Sequence, residues 1–190
     1  EVLLADGHEV LVIDSLAKGH RDAVPPGASF AQLDLLDQNG VATQLQRFGC
    51  DAVVHMAAHS LVGESVSAPE KYYLNNVTAG LALLAAMRVA GVDRLVFSSS
   101  AAVYGESANQ PIEEHDAQRP TNPYGATKLA FEQALRWYGD ASGLRSISLR
   151  YFNAAGATAL RGERHDPEKH LIPLVLAAAA GRVPHVTVFG

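Results

Sequence analysis

The sequence is short of several things, and each shortage closes off a class of function. It has one cysteine, Cys50, in 190 residues. A single thiol makes no intramolecular disulfide and no multi-cysteine metal site, which fits a reducing compartment and a cytoplasmic setting. Basic residues are in deficit, with Lys+Arg at 15 against Asp+Glu at 20 and a net charge of −5. A nucleic-acid partner needs a basic surplus or stripe, and neither is present. No apolar run nears the roughly 18 residues that span a bilayer; the stretch from Leu81 to Met87 is among the longest. No membrane partner is expected. Internal repeats, low-complexity segments and linkers are lacking, and G-x-G-x-x-G occurs nowhere. The composition is 48% hydrophobic and 18% charged, the balance of an ordered globular chain, and the length suits one domain.

Short β-branched runs alternate with helical spacing. The runs at 9–14 (EVLVID), 29–34 (SFAQLD), 51–57 (DAVVHMA), 94–99 (RLVFSS), 145–151 (RSISLRY) and 186–189 predict strands. Asp37 to Phe48 carries Val41, Leu45 and Phe48 at helical spacing. A long helix is predicted from Ser67 to Gly91. Ser67 and Glu70 form its capping box, Pro69 lies in its first turn, and Tyr73, Val77, Leu81, Leu84 and Met87 line one face. A second helix runs from Asn122 to Ala141, with Asn122 as N-cap and Pro123 at the first position, and a third from Leu171 to Ala180. Strands alternating with helices imply an α/β fold, a parallel sheet with right-handed crossovers and both faces buried. The proline-rich stretch from Gly105 to Pro123 is a long loop, a common place for function.

Asp14 closes the first of these strands. In a doubly wound nucleotide-binding fold, an acid there accepts hydrogen bonds from adenosine ribose hydroxyls and repels a 2′-phosphate, which favours NAD over NADP. Lys18 and Arg21 nearby weaken that exclusion, and a turn cap is the plainer role. Asp34 closes the next strand, followed by Leu35. That acid can meet the adenine amino group, or it can simply cap the loop. The glycine-rich phosphate turn belongs about 20 residues before Asp14. It is therefore expected ahead of Glu1, together with the first, central strand, and Ala5-Asp6-Gly7-His8 reads as the end of the helix after that turn.

Tyr124 and Lys128 are four apart in the first turns of a capped helix and share a face. A tyrosine, with a pKa of about 10, is a poor base at neutral pH. A neighbouring ammonium and an oxidised nicotinamide both favour phenolate, so the pair can act as a tuned general base. Ser98-Ser99-Ser100 ends a strand at the carboxyl edge, where α/β sheets place ligands. Its hydroxyls can hydrogen-bond a substrate hydroxyl or merely finish the strand in polar groups. His55 and His59 fall at and just beyond a strand end, where four residues span about 13 Å. They cannot readily share an ion, no Glu follows His55, and no metal is expected.

Six strings carry a family resemblance: HMAAHSLVGES (55–65), YYLNNV (72–77), FSSSAAVYGE (97–106), NPYGATK (122–128), LRYFNAAGA (149–157) and HLIP (170–173). On these the chain resembles the extended short-chain dehydrogenase/reductase family over nearly its whole length, and within it the enzymes that epimerise UDP-hexoses. Y-x-x-x-K is family-wide; the serine and RYFNAAGA strings are more specific. The resemblance implies a Rossmann-like, doubly wound parallel sheet lacking its first strand here. It implies an NAD-binding domain over residues 1–190, incomplete at its N-terminal end, with a substrate-binding region starting near 153–190. Tyr124 would be the catalytic base and acid. Lys128 would bind the nicotinamide ribose and lower the Tyr124 pKa, and Ser100 would hydrogen-bond the sugar 4-hydroxyl. Asp14, Asp34, Leu35, Met56, Ala57, Ala58, Asn75 and Phe152 would line the NAD site with Tyr124 and Lys128. Asn153 would contact the pyrophosphate of a UDP-sugar, and Leu171 and Phe189 would lie near its uridine.

The implied reaction is inversion at C4 of a UDP-hexose, with NAD regenerated in each cycle. In related dehydratases an Asp-Glu pair follows the strand-end hydroxyl residue; Ala101-Ala102 stands there in this chain, which favours epimerisation over loss of water. The alternatives are another nucleotide-sugar-modifying enzyme of the family, or a fragment or homologue that binds without catalysing. The resemblance also implies a homodimer through two helices from each subunit, with Ala82, Ala85, Ala86, Leu135 and Trp137 expected on the shared face. With the central strand and glycine turn ahead of Glu1, the 190 residues alone are expected to be inactive, poorly stable and weak in NAD binding.

Overall fold

The computed structural model describes residues 1–107, 109–162, 164, 168 and 170–187. It divides into two compact units, Glu1–Asn153 and Ala154–Gly190. In the first unit, β1 (Leu11–Asp14) pairs in parallel with β2 (Ser29–Gln32), and Asp14 stands opposite Gln32. A second sheet has the order β3 (Val53–His55), β4 (Arg94–Ser100), β5 (Arg145–Tyr151), again all parallel. Parallel pairing needs crossovers, and helices supply them. α1 (Val2–Ala5) precedes β1, and a short 3-10 turn, Arg21–Ala23, lies between β1 and β2; the crossover helices are α2 (Gln38–Phe48), α3 (Val62–Ser67), α4 (Pro69–Tyr72), α5 (Ala79–Ala90) and α6 (Pro123–Ser142), with a π-helical turn, Tyr73–Thr78, between α4 and α5. The chain is thus an α/β protein. Nothing among the described residues pairs with β1 on the side away from β2, or with β3 on the side away from β4. The sheet is parted between the EVLVID and DAVVHMA strands, and the two do not pair directly.

One core joins both sheets. Val41 and Leu45 of α2, Leu83, Leu84 and Met87 of α5, and Phe131 and Leu135 of α6 close on Leu95 and Phe97 of β4. Ile13, Leu33 and Leu35 pack against this cluster from the β1–β2 side. Phe97 and Phe131 meet edge to face, with ring centroids 4.7 Å apart. Burying rings of this size contributes roughly 1.5–3 kcal/mol each. These helices all cover the same face of the β3–β5 sheet. On its other face Val54, Val96 and Ile147 stand in register across three strands, with Val54 53% and Ile147 62% exposed. The expectation that both faces are buried therefore fails among the described residues of the first unit.

The caps explain several boundaries. The Asp37 carboxylate accepts from the Gly40 N–H at 3.0 Å, and the Asn122 side chain accepts from the Gly125 N–H at 2.8 Å. Each fixes the start of its helix, as read from the sequence for α6. The expected capping box at Ser67 and Glu70 is absent. Ser67 ends α3, its hydroxyl donates to the Glu64 carbonyl, and α4 starts at Pro69 without a side-chain cap. The expected apolar stripe holds only at Leu84 and Met87, since Tyr73 and Leu81 are exposed and Val77 is half-buried. Tyr72 is buried and Tyr73 exposed. Tyr72 wins because its hydroxyl finds acceptors inside, its one proton directed between the Leu61 carbonyl at 2.7 Å and the Glu64 carboxylate at 2.8 Å. Of the residues expected on a dimer face, Ala86 and Leu135 belong to the core instead, while Trp137 is 72% exposed. In the second unit, α7 (Leu171–Ala179) has no buried residue. Residues 186 and 187 are not in a strand, and Phe189, with the rest of the strand expected there, lies outside the described residues.

Candidate active site

In each sheet the carboxyl ends of parallel strands share one edge, and the residues singled out from the sequence follow those ends. Met56, Ala57 and Ala58 follow β3, Ser100 ends β4, and Phe152 and Asn153 follow β5. Asp14 ends β1 and Asp34 lies just past β2.

Asn122 and Pro123 start α6, which presents Tyr124 and Lys128 on one face. The Lys128 ammonium donates to the Ser98 carbonyl at 2.8 Å. It lies 4.9 Å from the Phe97 ring centroid and 5.8 Å from that of Tyr124. Lys128 is buried, and desolvation lowers its pKa to about 8. Burial pushes the Tyr124 phenol up and a hydrogen bond with Ser100 offsets this only in part, so the net lowering expected from the neighbouring Lys128 is not seen in the chain alone. Ser100 also accepts from the Ala102 N–H at 3.2 Å. The phenol, the serine hydroxyl and the ammonium thus converge at the end of β4. Beneath them, His55 stacks on Phe97 with centroids 5.7 Å apart. Desolvation, aided by the Lys128 charge, lowers the His55 pKa to about 4, so the imidazole stays neutral under the ammonium.

The close docking of α6 depends on Gly125. A Cβ there would sit 2.5 Å from the Ala102 carbonyl oxygen and 3.0 Å from its carbon. Backbone atoms cannot swing aside as a side chain can, so glycine is what lets the Tyr124 turn approach the end of β4.

Both strand-end acids cap turns. One carboxylate oxygen of Asp14 accepts from the Leu16 N–H at 2.6 Å, and one of Asp34 accepts from the Leu36 N–H at 2.9 Å. Leu35 leans on the core, and Asn75 is half-buried with its amide donating to the Asn76 side chain at 3.0 Å. Met56, Ala57, Phe152 and Asn153 are exposed. Leu171 lies in the second unit, at the start of α7. Among the described residues, no three His, Cys, Asp or Glu side chains gather as a metal site would require.

The sequence reading misses several residues that build this site. Buried Ser65, on α3, accepts from the Tyr124 N–H at 3.2 Å. Asn76 and Thr127 link the loop after β3 to α6. Glu132 receives the Ser99 hydroxyl at 2.5 Å and the Arg150 guanidinium at 2.7 Å, and Arg150 also donates to the Tyr104 hydroxyl at 2.7 Å. That network raises the Arg150 pKa and ties β4, β5 and α6 together. The available signal is a polar residue at a core-facing helical position, as Thr127 and Glu132 are relative to Phe131 and Leu135.

The NAD dependent epimerase/dehydratase family matches the chain over residues 1–190. The chain belongs to this family. A curated family relative, the UDP-glucose 4-epimerase of Streptomyces lividans, is 52% identical over 191 residues, covering 99% of this chain and 57% of that protein. Among solved structures, UDP-glucose 4-epimerase from Brucella ovis in complex with NAD is 46% identical with a TM-score of 0.96, covering 100% of this chain and 58% of that one. The Bifidobacterium longum UDP-glucose 4-epimerase in complex with NAD+ and UDP is 34% identical with a TM-score of 0.92, covering 100% and 60%. The chain spans about 57% of the length of the curated epimerases it matches.

The residues present fit two parts of an NAD molecule. At the end of β1, a Cβ on Gly19 would come within 2.6 Å of the Asp14 carboxylate, so glycine leaves space beside the acid that would meet the adenosine ribose. At the end of β4, Lys128 presents an ammonium beside Tyr124 that would hold the nicotinamide ribose. The glycine-rich turn that would hold the pyrophosphate is not among these 190 residues.

Proposed function

We propose that the protein carrying this chain inverts C4 of a UDP-hexose, interconverting UDP-glucose and UDP-galactose with bound NAD. The observation that carries this reading is the convergence of Tyr124, Ser100 and buried Lys128 at the end of β4. The names of the similar proteins support the substrate and cofactor. Bound NAD would supply a hydride acceptor and donor in its nicotinamide ring. Tyr124 takes the proton of the sugar 4-hydroxyl as that carbon is oxidised, and gives it back when the carbon is reduced from its other face. Ser100 holds the 4-hydroxyl and relays the hydrogen bond to Tyr124. Lys128 holds the nicotinamide ribose and, by its charge, favours the phenolate. Asp14 and Asp34 take the adenosine end, with Leu35, Met56–Ala58, Asn75 and Phe152 around the cofactor. Asn153 contacts the UDP pyrophosphate, and Leu171 and Phe189 serve the uridine. Most of the binding then resides in UDP, which is indifferent to the sugar face presented.

The first unit with its neighbouring segment is the cofactor domain, and the substrate region begins near 153–190. No helix among the described residues is long and apolar enough to cross a membrane, and a cytoplasmic setting completes the reading. The protein works as a homodimer, with Trp137 on α6 and Leu81 on α5 among the exposed apolar residues available to the interface. A strictly monomeric sedimentation profile at micromolar concentration would remove that part. The whole reading is tested by purifying the natural protein that carries this chain. Copurifying NAD and conversion of UDP-galactose to UDP-glucose are expected; absence of both overturns it.

A further inference from the structure

We propose that Asn76 and Thr127 form a clamp that positions the base-carrying turn of α6 against the loop after β3. Asn76 lies in the π-helical turn Tyr73–Thr78 and is buried. Such turns inside α-helices are frequent at functional sites. The Asn76 carboxamide uses its full hydrogen-bonding capacity. Its oxygen accepts from the His59 N–H at 2.8 Å and from the Asn75 amide at 3.0 Å. Its nitrogen donates to the His59 carbonyl at 3.0 Å and to the Thr127 hydroxyl at 3.1 Å. The side chain therefore grips residue 59 by both backbone groups, as a neighbouring strand would.

Thr127 passes the grip on. Fully buried, it donates its hydroxyl to the Tyr124 carbonyl at 2.7 Å. The Tyr124 N–H is held separately by Ser65 at 3.2 Å. The backbone of the proposed base is thus fastened on both sides by side chains from other turns. One mount runs through Thr127 and Asn76 to the segment that follows Met56–Ala58, where the cofactor is expected. The clamp sets the distance between Tyr124 and that loop. Neither Asn76 nor Thr127 reaches the reacting atoms, so both are positioning residues. A fully satisfied buried network of this kind rigidifies what it joins.

This inference rests on the reading of Tyr124 as the acid and base, and its test separates the two. In the natural protein, Thr127→Val removes the hydroxyl and keeps the shape, while Thr127→Ser keeps the hydroxyl. Turnover of UDP-galactose, its KM, and hydrogen exchange of the peptide containing His59 are measured for each. Thr127→Val should lower kcat by roughly 10- to 10²-fold, as expected for a slightly misplaced catalytic group, with KM changed less than about threefold. It should also speed exchange at His59, and Thr127→Ser should restore both. Should Thr127→Val prove insoluble, Thr127→Ala removes the same hydroxyl without adding bulk, and the same results are expected of it. Equal kcat for the Val and Ser variants, or unchanged exchange at His59 without the hydroxyl, would overturn the clamp. If the wild-type protein turns over no UDP-hexose, the functional reading fails, and the exchange coupling between Thr127 and His59 alone decides the clamp.

Discussion

His55 and Lys128 illustrate how burial sets charge at single residues. The folded pKa of His55 is about 4 against 6.5 for the free side chain. As pH falls, the unfolded chain takes up this proton first. The stability contributed by neutral His55 is complete above pH 6.5 and is lost as pH falls through about 4. The shift is worth roughly 3 kcal/mol. Resistance to urea should therefore fall as pH drops from about 7 to about 4.5, and His55→Phe should flatten that loss by about 2 kcal/mol. An unchanged slope would remove His55 from the acid response. Lys128 has the same sign higher up: its folded value of about 8 lies below 10.5, so its contribution rises as pH climbs through that window. Tyr124, Lys128 and Ser100 are legible in the sequence, because a spacing of four on a capped helix and a strand terminus are local patterns. Asn76 and Thr127 are not, because a polar residue in a helix looks like a solvent position until its partner, 51 residues away in sequence, is known.

Among the elements, α6 and β5 are the most legible. Asn122 and Gly143 cap α6, and β5 runs over 145–151 as read. The short helix α3 is not legible, since VGESVS carries no apolar stripe and its role depends on Ser65 meeting Tyr124. The fit of α6 on the end of β4 predicts that Gly125→Ala destabilises by about 1–3 kcal/mol through overpacking. It should also lower turnover, because the Ala102 backbone must move or the Tyr124 turn must retreat. Unaltered melting and turnover would show that the approach is looser than the geometry gives. The Glu132–Arg150 ion pair, 8% and 18% exposed, ties the same helix to β5. Glu132→Ala leaves the guanidinium without its main partner and should cost about 3–5 kcal/mol, read from the urea midpoint. A loss under about 1 kcal/mol, the range of an exposed pair, would contradict the burial.

At the scale of the molecule, the parallel α/β arrangement follows from the alternation of strand and helix patterns. Which face the helices cover does not, because apolar strands read alike whether one face is covered or two. The row Val54, Val96 and Ile147 and the unpaired edges of β1 and β3 leave apolar surface open among the described residues of the first unit. Expressed alone, the chain should bind the dye ANS and self-associate, since unpaired edges and bare faces invite association. A monodisperse, dye-silent chain would contradict the uncovered face. The proposed epimerisation depends most directly on Tyr124. In the natural protein, Tyr124→Phe should keep NAD bound and lose UDP-galactose to UDP-glucose turnover by roughly 10²–10⁴-fold, the usual loss for a positioned acid and base; turnover at the wild-type rate would contradict it.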